Sequence, residues 1–147
     1  MTETTVINRK IEDFNKKINI SGDKSLSIRW VLFASLANGV SKSKHLLMSE
    51  DVLAAINAIK KLGIKVKFKK DVCEIYGKGI DGYKYKKNLT INAENSGTFG
   101  RLILGLLINT PYPIRLIGDK SLSKRDFKRI SDPLSIFGAN FKLTNNK

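Results

Sequence analysis

The chain has 147 residues, enough for one domain with a buried core, and its 41% hydrophobic content sets it apart from a disordered chain. The single cysteine, Cys73, excludes an internal disulfide, and no apolar run approaches the roughly 20 residues that span a bilayer. A formal net charge of +14 favours anionic partners, either nucleic acid or small polyanions, although the lysines are scattered along solvated edges and loops.

In chain order, residues 1–17 carry acids and no apolar signal core, so a cytoplasmic protein without a secretory leader is expected. Residues 18–20, "INI", predict a short strand. An apolar helix follows from Gly22, then a strand in "SKSKHLLM" at 41–48. The stretch "SEDVLAAINAIKKLG" predicts a second helix with Ser49 as N-cap, Glu50 and Asp51 in its first turn, and a core stripe of Val52, Ile56 and Ile59 with Ala55 beside it. "IKVKFKK" and "VCEIYG" then alternate as a hairpin, in which Cys73 reads as packed and not reactive.

A second passage repeats the order. "LTINA" predicts a strand, "NSGTFGRLILGLL" a helix, "PIRLIG" a strand, "SKRDFKRISDPLSIFG" a helix and "ANFKLT" a strand. Gly63 and Gly138 stand where a helix C-terminal cap belongs. A closing strand equivalent to "VCEIYG" is missing from the second passage, so the chain reads as a piece of something longer.

Candidate ligand groups cluster at the helix starts, where free N–H groups and a partial positive charge attract anions. The first start holds Gly22, Lys24, Ser25, Ser27 and Arg29; the second holds Asn95, Ser96, Gly97, Thr98 and Arg101. The third is a basic run of Lys124, Arg125, Lys128 and Arg129 that opens another helix. Taken singly, each motif is satisfied by a simple cap or a solvated basic face, and the first lacks the spacing of a phosphate-binding P-loop. Their combination at successive strand-to-helix junctions, which tend to share one edge of an α/β layer, argues for an anion site.

These motifs, GDKSLSIR, SEDV, NSGTFGRL and GDKSLSKR followed by DPL, resemble in identity and order the N-terminal domain of the 5-enolpyruvylshikimate-3-phosphate (EPSP) synthase family. The resemblance runs from about residue 18 to residue 143. It implies an α+β fold of repeated βαβαββ units, with about two of six present and the second incomplete. Residues 1–21 would be a strand segment that crosses to the other domain, and residues 22–147 a partial N-terminal domain.

The activity so implied moves the enolpyruvyl group of phosphoenolpyruvate to the 5-hydroxyl of shikimate 3-phosphate, in the shikimate pathway of aromatic amino acid biosynthesis. It proceeds by addition and elimination without a metal or organic cofactor. The resemblance assigns Lys24, Ser25 and Arg29 to shikimate 3-phosphate and Lys24, Gly97 and Arg125 to phosphoenolpyruvate, with weaker roles for Asn95, Thr98 and Arg101. It implies a monomer when full length, with no membrane or nucleic-acid partner. Glyphosate would occupy the phosphoenolpyruvate site, with room left by Gly97.

Two positions depart from the family pattern: Ile28 stands where histidine is common, and Asp126 follows Arg125 where proline is usual, so Asp126 is expected to weaken the arginine's field. The family's Ser-Ser-Gln segment and its acid/base Asp, Glu and Lys have no counterpart here, so no catalytic residue is expected among these residues and the chain alone is expected not to turn over. Three alternatives stand beside this reading. One is a UDP-N-acetylglucosamine enolpyruvyl transferase, whose reactive cysteine Cys73 does not match. The second is a nucleic-acid-binding module, against which aromatic and basic residues do not line up on one strand face. The third is a non-catalytic remnant. His45 stands alone and reads as a surface or packed histidine.

Overall fold

A computed structural model of the chain describes residues 4–6, 8–10 and 15–144, so part of the expected crossing segment 1–21 lies outside the described residues. Helix α1 (Lys24–Leu36) begins where the Asp23 carboxylate accepts the Leu26 N–H at 2.6 Å. One side of α1 buries Ile28, Val31 and Leu32, whereas Leu26 and Phe33, about two turns apart, remain 67% and 65% exposed. Strand β1 (Asn38–Lys44) follows. It starts and ends earlier than the alternation suggests, because His45 turns the chain out of the sheet at a φ of 54°.

Helix α2 (Glu50–Lys61) buries Val52, Ala55, Ile56 and Ile59 as expected. Ser49 takes the N-cap position, but its hydroxyl makes no capping bond and is buried without a partner among the described residues. At the other end Gly63, at a φ of 86°, closes the helix: Gly63 N–H donates to the Lys60 carbonyl and Ile64 N–H to that of Ile59. The strands β2 (Lys65–Lys69) and β3 (Val72–Lys78) form the expected hairpin, and the antiparallel sheet has the order β1-β3-β2. Cys73 and Ile75 are buried in the core, where β3 packs against α1. Gly77 approaches the carbonyls of Ala34 and Ala37 so closely that a β-carbon there would overlap both.

The outer face of this sheet carries Lys42, Lys67 and Glu74 in one row and Lys65 and Tyr76 in the next. An aromatic thus does share a strand face with lysines, against the sequence expectation. The ammonium groups of Lys65 and Lys67 sit 5.1 and 5.7 Å from the Tyr76 ring centre, which leaves that ring poorly placed to stack a base.

A second, parallel pair joins β4 (Leu89–Asn92) to β5 (Ile114–Ile117), with helix α3 (Gly97–Leu106) as the crossover. Helix α2 touches both sheets, and its core merges with Ile91, Phe99 and Ile103. Burying each such side chain stabilises by roughly 1.5–3 kcal/mol relative to exposure. A 3-10 turn (Leu122–Lys124) and helix α4 (Lys128–Ile136) complete the described elements, and Gly138 ends α4 with the same pair of backbone bonds that Gly63 makes after α2.

Two expected strands are absent from the described residues. Residues 18–20 form none, and Ile18 and Ile20 stay exposed. Residues 139–143 form none either. An alternating segment becomes a strand only with a ladder partner. The first sheet supplies one for β2, its neighbour β3, and among the described residues no strand pairs with residues 139–143. The third helix start also differs: the basic run does not open one helix. Lys124 ends the 3-10 turn, Arg125 is extended (φ −82°, ψ 146°), and α4 begins only at Lys128.

Candidate anion-binding site

The start of α1 is fastened to the start of α2. A β-carbon on Gly22 would lie 2.5 Å from the His45 carbonyl, so only glycine admits the loop before α2 this closely. The Ser27 hydroxyl accepts the Leu47 N–H at 3.2 Å. In the first turn of α2, the Asp51 carboxylate holds the Lys24 ammonium at 3.3 Å. Arg29 folds back along α1, where its Nη1 donates to the Ser25 carbonyl at 3.1 Å, with Ser25 itself half-buried.

The approach to α3 shares a cleft with the start of α2. Ser96 caps the helix by accepting the Phe99 N–H, leaving Gly97 buried and Thr98 half-buried in the first turn. Asn95 lines an open cleft of about 850 Å³ together with Glu50, Asp51, Asn57, Glu94 and Asp119. The Asp119 N–H donates to the Glu94 carbonyl at 2.7 Å, which locks together the chain leaving β4 and the chain leaving β5.

Two arginines converge on Gly97. A β-carbon at that position would lie 2.7 Å from Arg125 Nη1 and 3.1 Å from Arg101 Nη1. Arg101 is steadied from below: its guanidinium carbon lies 5.5 Å from the Phe127 ring centre and its Nη2 donates to the Asp126 carbonyl at 3.3 Å. Its Nε is buried without a hydrogen-bond partner among the described residues. Asp126, next to Arg125 in the chain, is engaged elsewhere. Its carboxylate accepts the Lys128 N–H at 2.8 Å at the start of α4, and it forms no ion pair among the described residues.

The residues singled out in the sequence therefore fall into two groups, Lys24–Ser25–Arg29 and Gly97–Arg101–Arg125, with Asn95 and Asp51 on one cleft linking their helix starts. Asp51 and Phe127 went unrecognised as partners of the site, because a first-turn acid and a lone aromatic each read locally as helix chemistry. Cys73 lies away from these groups. Burial pushes its thiol up to about 11, so it remains protonated and unreactive at neutral pH. No group of His, Cys, Asp and Glu among the described residues is arranged to hold a metal ion, and no helix is long and apolar enough to cross a membrane.

The scaffold is thus α+β, with cations gathered at its helix starts. Comparison with known proteins narrows this. The family described as EPSP synthase (3-phosphoshikimate 1-carboxyvinyltransferase) matches residues 8–147. The 3-phosphoshikimate 1-carboxyvinyltransferase of Bacillus cytotoxicus is 42% identical over 126 residues, covering 86% of this chain and 30% of that protein. Its counterpart in Streptococcus mutans is 43% identical over 121 residues, covering 82% and 28%. The solved EPSP synthase from Acinetobacter baumannii superposes with a TM-score of 0.83 at 34% identity, over 90% of this chain and 30% of that one. The chain belongs to the EPSP synthase family, a family of transferases. It spans about 30% of the length of these relatives.

Proposed function

We propose that this chain supplies part of the active site of a cytoplasmic enzyme that transfers the enolpyruvyl group of phosphoenolpyruvate to the 5-hydroxyl of shikimate 3-phosphate, releasing phosphate. The observation that carries the reading is the convergence of Arg101 and Arg125 on Gly97 at the start of α3, together with a second cationic helix start that holds Lys24 and Arg29. Both substrates are anions, and bringing them together requires fixed positive groups at two adjoining positions. On this reading Lys24, Ser25 and Arg29 hold shikimate 3-phosphate, and Lys24, Gly97 and Arg125 hold phosphoenolpyruvate. Asn95, Thr98 and Arg101 line the second position. Residues 22–147 belong to the N-terminal domain, and the remaining catalytic groups come from the part of the relatives that these residues do not span.

Calorimetric titration of the 147-residue chain with shikimate 3-phosphate tests this. Binding weakened at least about tenfold by Arg29→Ala, the loss of a charge-assisted hydrogen bond, is expected, with no phosphate release when phosphoenolpyruvate is added. Binding that is absent, or indifferent to both Lys24→Ala and Arg29→Ala, overturns the assignment.

A further inference from the structure

Three of the site's cations are tethered by protein groups. Arg29 is held by the Ser25 carbonyl, and Arg101 by the Asp126 carbonyl and the Phe127 ring. Lys24 is held by the Asp51 carboxylate at 3.3 Å. Of these tethers only Asp51 is charged, and it reaches Lys24 from a different helix. The asymmetry follows from the side chains. A guanidinium is a planar fork that a single carbonyl orients, whereas an ammonium on a four-carbon stem has no preferred direction and needs a point charge to fix it. Lys24 is also half-exposed at 52%, so without Asp51 its head would sample many positions, while the Asp51 side chain is only 20% exposed and well placed to act as an anchor.

We infer that Asp51 is a positioning residue for Lys24. It holds the ammonium at the α1 start so that the two remaining N–H donors are available to the arriving anions, and its negative charge keeps the lysine from binding anions indiscriminately. This rests on the assignment of Lys24 to substrate binding. The loop geometry supports it independently: the close approach of Gly22 to His45 and the Ser27–Leu47 hydrogen bond set the starts of α1 and α2 side by side, which brings the first turn of α2 within reach of Lys24. A carboxylate there serving only the α2 dipole would need no lysine.

The test compares the wild-type chain with Asp51→Asn, Asp51→Glu and Lys24→Ala, using two readouts. The first is the order of the Lys24 side chain by NMR relaxation of its Cε. The second is the affinity for shikimate 3-phosphate, with inorganic phosphate as the simpler probe. The expected result is a Lys24 head that is ordered in the wild type and mobile in Asp51→Asn. Affinity should fall about tenfold in Asp51→Asn, as rotamer freedom is restored, and recover most of the way in Asp51→Glu. Equal mobility of Lys24 in both proteins, or tighter binding by Asp51→Asn, overturns the inference. Binding that ignores Lys24→Ala while Lys24 still loses order in Asp51→Asn instead overturns the substrate assignment and leaves the pairing intact.

Discussion

Gly97 shows how much one missing methyl group decides. It is buried at the start of α3 with two guanidinium groups closing over it, at distances where a β-carbon would touch both. The atoms in the way are the far ends of flexible arginines, not backbone. Gly97→Ala is therefore expected to leave the thermal midpoint nearly unchanged while displacing Arg125 and weakening phosphoenolpyruvate or glyphosate binding about tenfold, the scale of one charged hydrogen bond. Titration of the two proteins side by side measures this, and equal affinities would remove Gly97 from the site. The glycine and the arginines were legible in the sequence as members of two motifs. Their convergence was not, because Arg101 and Arg125 approach Gly97 from different elements, and only Phe127 and the Asp126 carbonyl below Arg101 fix its direction.

At the scale of single elements, β3 carries its own electrostatic device. Glu74 lies directly across from Lys42 and Lys67, pairs with Lys42 at 3.3 Å and with Lys69 at 3.7 Å, and accepts the Tyr76 hydroxyl at 3.1 Å. The bond from Lys42, then that from Tyr76, holds its carboxyl below the ordinary value of 4.5. A depressed folded-state value means the unfolded chain binds the proton first as pH drops. The contribution of Glu74 is thus complete above about pH 4.5 and disappears as pH falls through the lower folded value. Glu74→Gln should accordingly flatten the acid limb of a stability profile taken by denaturant unfolding between pH 3 and 6. An unchanged limb would mean that these pairs, whose lysine ends are exposed, contribute nothing measurable. The hairpin itself was readable from alternation, as were α2 and its glycine stop, because each depends on local spacing. Residues 139–143 alternate just as well, yet form no strand, since a ladder needs a neighbour that local spacing cannot supply.

For the molecule as a whole, the distribution of apolar surface is the notable feature. Helix α1 is apolar on nearly every side, as central helices are, but Leu26 and Phe33 face solvent, and Ile136 and Phe137 at the end of α4 are 85% and 84% exposed. In solution the 147-residue chain is expected to self-associate through the Leu26–Phe33 stripe of α1 and to bind an apolar dye. Replacing Leu26 and Phe33 together by glutamate should shift sedimentation toward the monomer, with each exposed change costing within about 0.5 kcal/mol of stability. A wild-type chain that sediments as a clean monomer and binds no dye would show that the stripe is already covered.

The hexapeptide Gly-Asp-Lys-Ser-Leu-Ser occurs twice, at residues 22–27 and 118–123, and separates local from tertiary control. In both copies the aspartate carboxylate accepts the leucine N–H three residues on, at 2.6 Å, so the capping turn is written in the six residues themselves. Beyond the hexapeptide the two copies diverge. After the first copy Ile28, Val31 and Leu32 find a core to enter, and the turn propagates into a 13-residue helix. After the second come Lys124, Arg125 and Asp126, all exposed, and the turn stops after three residues. Extending a helix from a formed turn is favourable only where side chains gain burial or the backbone meets no competitor. The sequence alone thus determined the two aspartate-capped turns, the alternating hairpin, the core stripe of α2 and the family motifs. The fold decided which copy became a helix, swung Arg125 back over Gly97 and set Asp51 against Lys24, because those outcomes depend on surfaces contributed by distant parts of the chain.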